Sequence, residues 1–301
     1  MLKIVRRYKV WFTLSIVMAV VAIAAISFFG LRMGIDYKGG TIIEFSTGSS
    51  NATEITKNVL NEQSYSGYQI KTSTGTNYIL RMENISSDAH QKIAKAMTAQ
   101  MPDYKEISYD NVGPTIGKDL TNKSILAVII ASLAIILFVA FSFRKIPKPL
   151  SPWIFGICAI IALLHDLLIT IGFVAIMGHF FTWMEVDALF ITALLTIMGF
   201  SVHDTIVVYD RLRENFIKNP HADIELVAEE STNQTFARSI NTSLTTVIVL
   251  IAMLFFGSQS IQHFVAVLAF GIILGTYSSI FNATPLVVVW HKALFKKKRT
   301  S

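Results

Sequence analysis

The chain has 301 residues, of which 52% are apolar and only 15% are charged. An average soluble domain carries about 25% charged residues, so this composition excludes a purely soluble protein. The net charge of +6 does not indicate nucleic acid, because the basic residues cluster beside apolar segments, as in membrane proteins. The one cysteine, Cys158, lies in an apolar run, and a single cysteine excludes a disulfide within the chain.

Six apolar stretches are long enough to cross a bilayer, which requires a helix of about 17–25 residues. They are residues 11–29, 124–143, 153–177, 188–209, 240–256 and 264–290. The first is longer than the roughly 7–15 apolar residues of a secretory signal peptide, so we interpret it as an uncleaved helix. The sequence therefore predicts a polytopic α-helical membrane protein with six transmembrane helices.

Lysine and arginine predict the orientation of these helices. With six crossings, four basic clusters fall on one side of the membrane, and the positive-inside rule makes that side the cytoplasm. The clusters are Lys3, Arg6, Arg7 and Lys9; Arg144, Lys145 and Lys148; Arg211 and Arg213; and Lys296, Lys297, Lys298 and Arg299. We therefore expect a multi-pass protein of the cytoplasmic (inner) membrane, with residues 1–10, the loop 210–238 and the basic tail 291–301 in the cytoplasm.

The segment between the first two spans, residues 30–122, has soluble character and is predicted to be an extracytoplasmic domain. Apolar alternation and turn residues predict strands at 41–47, 68–73, 77–82 and 105–109, with a turn at 74–76. Helical spacing predicts helices at 52–63 and 87–100. The order β-α-β-β-α-β is typical of an α+β, ferredoxin-like domain. The domain shows no catalytic constellation, so we expect a binding or moving part rather than an enzyme.

Three ionisable residues lie in or beside the predicted spans. Asp204 is in the fourth span, Asp166 is near the middle of the third, and Arg238 precedes the fifth. A charge at such depth is unfavourable by roughly 2.5–3.5 kcal/mol on insertion scales and usually marks a pathway. Acids and a base facing each other across membrane helices suggest a device that moves protons. A purely structural ion pair of Asp204 and Arg238 is the alternative, and depth alone favours Asp166 as the carrier.

Small and polar residues recur at helical spacing in three spans, which favours close helix packing around these groups. On the third span Asp166 shares a face with Ala159, Ala162 and Thr170. On the fifth span the stripe continues from Arg238 through Thr242, Thr245 and Thr246. On the sixth it comprises Gly271, Gly275, Ser278 or Ser279, and Asn282. His165 and His203 each precede one of the aspartates and are candidate modulators. Adjacent helical residues point about 100° apart, so neither His-Asp dipeptide can hold a metal by itself, and we predict no metal site.

Two glycine-rich stretches flank the external domain. One contains Gly34, Asp36, Gly39 and Gly40, and the other contains Gly113, Pro114 and Gly117. Glycines at these points allow positive φ or close backbone approach, so both stretches are predicted to be joints or hinges. The phosphate-binding pattern Gly-x-x-x-x-Gly-Lys-Ser/Thr is absent, which argues against ATP binding of that kind.

Together with residues 199–215, 238–246 and 275–281, these stretches resemble the SecF branch of the SecD/SecF family, within the RND (resistance-nodulation-division) superfamily. The resemblance runs nearly end to end, and the segment from Asp204 to Asn215 is its most specific part. The short external domain favours SecF over SecD, whose domain is larger in the family. Many relatives carry Asn before the intramembrane acid, whereas this chain carries His203.

The resemblance implies an accessory subunit of the Sec translocase that uses the proton gradient in late steps of preprotein export. It implies a SecD-like subunit, the SecYEG channel, unfolded preprotein and membrane lipid as partners, with no cofactor and no nucleic acid. It implies that Asp204 and Arg238 form the proton-coupling pair, and Asp166 ranks second. Two other functions stay open: a half-size RND-type exporter of small molecules or lipids, and a passive scaffold for translocase assembly.

Overall fold

The computed structural model describes residues 2–72, 76–144, 151–181, 183–257 and 261–299, with backbone only for 294–299. The predicted turn at 74–76 lies largely outside these residues, as do Lys145, Lys148 and the side chains of Lys296, Lys297, Lys298 and Arg299. The chain divides into two compact units. One is Met33–Ile125, and the other combines Met1–Arg32 with Leu126–Ser301.

The smaller unit is an α+β domain with a four-stranded antiparallel sheet in the order β2-β3-β1-β4. Its strands are β1 (Gly40–Ser46), β2 (Gln69–Thr72), β3 (Asn77–Met82) and β4 (Lys105–Val112). Its helices are α2 (Ile35–Lys38), α3 (Ala52–Glu62) and α4 (Ser87–Gln100), and the long helix α5 (Pro114–Ser142) begins in it. From β1 to β4 the element order is the predicted β-α-β-β-α-β. The last strand runs beyond the predicted 105–109, because pairing with β1 continues to Val112 opposite Gly40.

The core of this unit lies between one face of the sheet and helices α3 and α4. Ile43 and Phe45 of β1 alternate into it and are buried, as their spacing predicts. Val59 of α3 and Ile93 of α4 cover them from the helical side. Helix α4 begins at Ser87 because the Ser86 hydroxyl accepts a hydrogen bond from the Ala89 amide at 3.2 Å.

The larger unit contains the remaining helices. They are α1 (Tyr8–Phe29), α6 (Pro152–Phe180), α7 (Ala188–Lys218), α8 (Ile224–Phe256) and α9 (Gln262–Ser278). A π-helical turn at Ser279–Ala283 joins α9 to α10 (Thr284–Arg299), and a 3₁₀ turn at Val5–Arg7 precedes α1. Counting α9, the π turn and α10 as one span, the described residues contain six helices that are long and apolar enough to cross a membrane, as predicted.

Small residues allow the helices of this unit to pack closely. Gly172 of α6 lies directly against Ala22 of α1, and Gly271 of α9 lies against Ile197 of α7. One turn further along α9, a methyl group at Gly275 would lie 3.1 Å from Cβ of Ser201. The glycine stripe predicted for the last span is therefore the face that α9 presents to α7.

The stretch 210–238, predicted as a loop, is mostly helical. Helix α7 continues to Lys218 and α8 begins at Ile224, so only residues 219–223 connect them. Charged pairs one turn apart line the end of α7, with Glu214 in contact with Arg211 at 2.6 Å and Lys218 at 2.8 Å. The Asp223 carboxylate caps α8 by accepting a hydrogen bond from the Glu225 amide at 3.0 Å. Hydropathy misses such polar helical ends, because charge pairs and caps stabilise them instead of apolar burial.

Candidate functional site

Asp166 lies at the junction of three helices of the larger unit. Its side chain is completely buried on α6. One carboxylate oxygen, Oδ2, accepts hydrogen bonds from Ser201 of α7 and Ser278 of α9, both at 2.6 Å. The other, Oδ1, is 3.0 Å from Nδ1 of the neighbouring His165. Both oxygens therefore have partners, as burial of a carboxylate requires.

Asp204 occupies a different environment on α7. It is half-buried and borders a cavity of about 10 Å³, which is close to the smallest space that holds one water molecule. The wall of the cavity consists of residues from three helices: Phe200, His203, Asp204, Thr242, Ser243, Ile272 and Thr276. Among the residues that the structure describes, Oδ2 of Asp204 has no hydrogen-bond partner. At least one oxygen of this carboxylate is thus free of the hydrogen bonds that engage both oxygens of Asp166.

Arg238 of α8 and the adjacent His203 lie close enough to Asp204 to act on it electrostatically, and the Ser239 hydroxyl approaches the carboxylate. Arg238 is nevertheless exposed, and within the described ranges no ion pair joins it to Asp204. The Ser239 hydroxyl is buried and likewise lacks a hydrogen-bond partner among these residues. The structure therefore places Asp204 and Arg238 near each other without a direct ion pair between them, and we call this arrangement open.

The threonines predicted beside Arg238 differ in position. Thr242 borders the cavity of Asp204, and its hydroxyl donates a hydrogen bond to the Arg238 carbonyl at 2.9 Å. Thr245 and Thr246 donate to the Thr242 carbonyl at 2.8 and 3.2 Å. Their hydroxyls are therefore bound to the backbone of their own helix. Of the three predicted threonines, Thr242 is the one that borders the cavity.

The two histidines are also separated. His165 is largely buried beside Asp166, and its Nε2 has no hydrogen-bond partner in the described part of the chain. His203 is exposed at the rim of the Asp204 cavity. The described residues contain no group of three histidine, cysteine or acidic side chains arranged to hold a metal ion.

Ser201 was not among the predicted site residues, although it binds one of the two acids and lies on the same helix as the other. It donates to Asp166 and stands one helical turn before Asp204. Its spacing from Asp204 is the signal that could have identified it. Ser278 stood in the predicted small-residue stripe but had no assigned partner.

The two glycine motifs meet within the smaller unit. Gly39 has a φ of +76°, and a methyl group there would lie 3.2 Å from the Val112 carbonyl oxygen and 3.3 Å from Cα of Pro114. A methyl group at Gly117 would lie 2.8 Å from the Tyr37 carbonyl oxygen. Glycine is required at Gly39 because of its positive φ and tight surroundings, and at Gly117 because a side chain would collide with backbone. Gly34 precedes α2, which contains Asp36, and Gly40, with a φ of +141°, begins β1. Gly113 immediately precedes α5, which starts at Pro114.

The fold and the site define a multi-pass membrane protein whose helices carry the fully buried Asp166 and the half-buried Asp204, with a small α+β domain between its first two spans. The family model for the C-terminal part of the SecD/SecF protein export membrane proteins matches residues 92–293. A second model, for the SecD/SecF GG motif, matches residues 24–50. The chain belongs to the SecD/SecF family and, within it, to the SecF proteins.

Similar proteins include the protein translocase subunit SecF of Thermobaculum terrenum, with 40% identity over 98% of this chain and 96% of that protein. The SecF of Anaerolinea thermophila is 38% identical over 96% of this chain and 94% of that protein. The crystal structure of SecDF from Thermus thermophilus, titled a translocon-associated membrane protein, matches with a TM-score of 0.80 and 28% identity. It covers 96% of this chain, which spans 38% of the SecDF chain. These likenesses identify an accessory subunit of the Sec translocase, and the longer SecDF proteins indicate a SecD partner.

Proposed function

We propose that this subunit couples proton flow through the membrane to late steps of preprotein export, with Asp204 as the proton carrier and Arg238 as its partner. The observation that supports this most is the open geometry around Asp204. Its Oδ2 is buried without a hydrogen-bond partner in the described residues, beside a small cavity with polar and apolar walls whose volume is close to the smallest that holds one water molecule. A carboxylate in this setting can gain or lose a proton without breaking a hydrogen bond at that oxygen.

The charge of Arg238 provides the switch. A negative Asp204 attracts the guanidinium on the neighbouring helix, and this attraction is strong where water is scarce. Protonation from outside removes the attraction and allows α7 and α8 to shift. Release of the proton to the cytoplasm restores it. His203, at the rim of the cavity, is exposed and can modulate this exchange.

Asp166 has a different role in this proposal. Hydrogen bonds from two helices hold one of its oxygens, so a change of its protonation state would disturb the junction of α6, α7 and α9. We therefore assign proton transfer to Asp204 and positioning of the helices to Asp166.

The SecD-like partner is proposed to cover the polar face that α7 and α8 leave exposed. His203, Arg238, Asn241, Thr242 and Thr245 are exposed on this face. Polar side chains on membrane helices usually face protein or water rather than lipid, so an exposed group of them favours a protein partner. A SecD-like subunit packed against this face would also close off the Asp204 cavity.

The proposal also includes the topology, the partners and the energy source of the subunit. Both termini lie in the cytoplasm, the external domain meets unfolded preprotein near the SecYEG channel, and lipid surrounds the helices. The proton gradient is the energy source, so the subunit acts without a cofactor, a metal or nucleic acid and is not an enzyme.

The test is secretion of a reporter in cells that depend on this protein, comparing wild type with Asp204→Asn at equal membrane abundance. The substitution keeps the side-chain size and removes the titratable charge. Asp210→Asn is the matched control, because Asp210 is exposed on the same helix and pairs with Arg213 at 2.9 Å. Loss of export in Asp204→Asn alone, with the SecD-like partner still bound, supports the proposal. Unchanged export in Asp204→Asn contradicts it and favours a passive scaffold.

A further inference from the structure

Hydrogen bonds from the N-terminal segment, residues 2–6, to side chains of α8 hold this segment against the start of that helix. The buried Glu229 carboxylate accepts hydrogen bonds from the backbone amides of Ile4, Val5 and Arg6, the last two at 3.3 and 3.0 Å. Asn233, one turn further along α8, accepts from the Leu2 amide at 2.8 Å and donates to the Leu2 carbonyl at 3.0 Å. These contacts fix the backbone of residues 2–6 against the membrane unit.

A cavity of about 330 Å³ lies between this fastened segment, α8 and α10. Its volume is within the range of about 300–1,000 Å³ that is usual for ligand pockets. The lining residues are Val5, Tyr8, Glu225, Pro285, Val288, Val289, Lys292 and Ala293, most of them apolar. None of these residues borders the Asp204 cavity, so the two spaces have separate walls.

The charged groups at and beside this cavity carry an excess of positive charge, because Lys292 and Glu225 line it and Arg6 lies next to Glu225. Arg6 lies 3.8 Å from Glu225, and Lys292 contacts the same carboxylate. The Arg6 and Lys292 side chains thus share the Glu225 carboxylate, and each keeps N–H donors that can bind another acceptor. Lys3, Arg7 and Lys9 of the same segment are exposed nearby along the chain. Tyr8 and Trp11 provide the aromatic side chains that are enriched at membrane interfaces.

We infer that this cavity binds an anionic phospholipid, with an acyl chain against Val5, Val288 and Val289 and the phosphate at Lys292 and Arg6. Basic pockets between transmembrane helices bind anionic head groups, and Arg and Lys are the side chains that bind phosphate. The apolar lining suits an acyl chain, whereas a free phosphate would leave it unfilled. This inference rests on the membrane setting of the chain and is independent of the proton-coupling proposal.

The experiment uses the full chain, purified in detergent and incubated with equal amounts of phosphatidylglycerol and phosphatidylcholine. Native mass spectrometry then counts the lipids retained by each variant. We expect wild type to retain phosphatidylglycerol preferentially and Lys292→Gln to lower that retention by about fivefold, the effect of one basic residue near an anionic head group. Lys218→Gln is the matched control, since Lys218 is another exposed lysine paired with a glutamate, Glu214.

Two further variants test the apolar part of the cavity. Val289→Phe should displace the acyl chain, whereas Val249→Phe changes an exposed valine of α8 that does not line the cavity. If Val289→Phe fails to fold, Ala293→Trp blocks the cavity from an exposed lining position. Equal retention of the two lipids by wild type would overturn the inference. So would equal losses in Lys292→Gln and Lys218→Gln, or undiminished retention in a folded cavity-filling variant. The readout is lipid binding, so these results leave the test of export unaffected.

Discussion

Asp166 and Asp204 are the same residue type in neighbouring membrane helices, yet their surroundings differ. Asp166 is fully buried, and both of its oxygens lie within hydrogen-bond distance of a partner. Asp204 is half-buried beside a water-sized cavity, with one oxygen unpartnered among the described residues. The difference teaches that depth in a span does not by itself tell how a carboxylate is engaged with its neighbours. A deeply buried acid can be fully engaged in holding helices together, while a shallower one retains the freedom to exchange a proton.

The largest expected effect separates the two acids by export. Asp204→Asn should lower the rate of reporter export by about tenfold or more, because an amide cannot take up and release a proton. Asp166→Asn should lower it far less, since an amide oxygen can still accept hydrogen bonds from Ser201 and Ser278. Export is measured at equal membrane abundance. A greater loss in Asp166→Asn than in Asp204→Asn would reverse our assignment of the two roles.

We expect the free energy of unfolding to depend more on Asp166 than on Asp204, the opposite of the order expected for export. Asp166→Ala removes the acceptor of two buried hydroxyl groups, and we expect it to lower the free energy of unfolding by about 1–3 kcal/mol. Asp119→Ala is the control, because Asp119 is exposed and pairs with Lys123 at 2.7 Å, a surface contact that contributes about 0–1 kcal/mol. The measurement is unfolding of the purified protein in detergent. Equal stability of Asp166→Ala and wild type would show that the three-helix junction does not depend on this carboxylate.

The two serines allow a finer test of the same junction. Ser201→Ala and Ser278→Ala should each lower the free energy of unfolding by about 0.6 kcal/mol, the mean for hydrogen bonds between membrane helices. The double variant should deviate from the sum, because both hydroxyls donate to the same oxygen of Asp166. Ser132→Ala is the control, since Ser132 donates within its own helix to the Val128 carbonyl at 2.8 Å. Strict additivity would mean that the two contacts act independently.

The smallest expected effect concerns Asp103, a solvent-exposed carboxylate of the α+β domain that can be compared with the two membrane acids. Hydrogen bonds from the Thr47 hydroxyl at 2.7 Å and the Gly48 amide hold the pKa of Asp103 below its ordinary value. Because the folded pKa is lowered, the stabilisation is fully present above the unfolded pKa of about 3.9 and is lost as pH falls through the folded pKa. Thr47→Val should raise the pKa of Asp103, as followed by carboxyl NMR. An unchanged pKa would show that Thr47 is not its main cause.

Much of the fold could be predicted from local sequence patterns. The bounds of β3 and α4 agree with the predicted 77–82 and 87–100, because alternation and helical spacing act over a few residues. The six spans were predicted from apolar length. The polar ends of α7 and α8 were missed, because paired charges and the Asp223 cap extend them beyond the apolar runs.

By itself the sequence determined the number of spans, the positions of the ionisable residues and the glycines that the backbone requires. Only the tertiary structure decided which of Asp166 and Asp204 has hydrogen-bond partners for both carboxylate oxygens. The serines that bind Asp166 are 35 and 112 residues away along the chain, and the cavity of Asp204 has walls from three helices. Hydropathy and periodicity are properties of short segments, whereas the partners of a buried carboxylate depend on which helix faces meet.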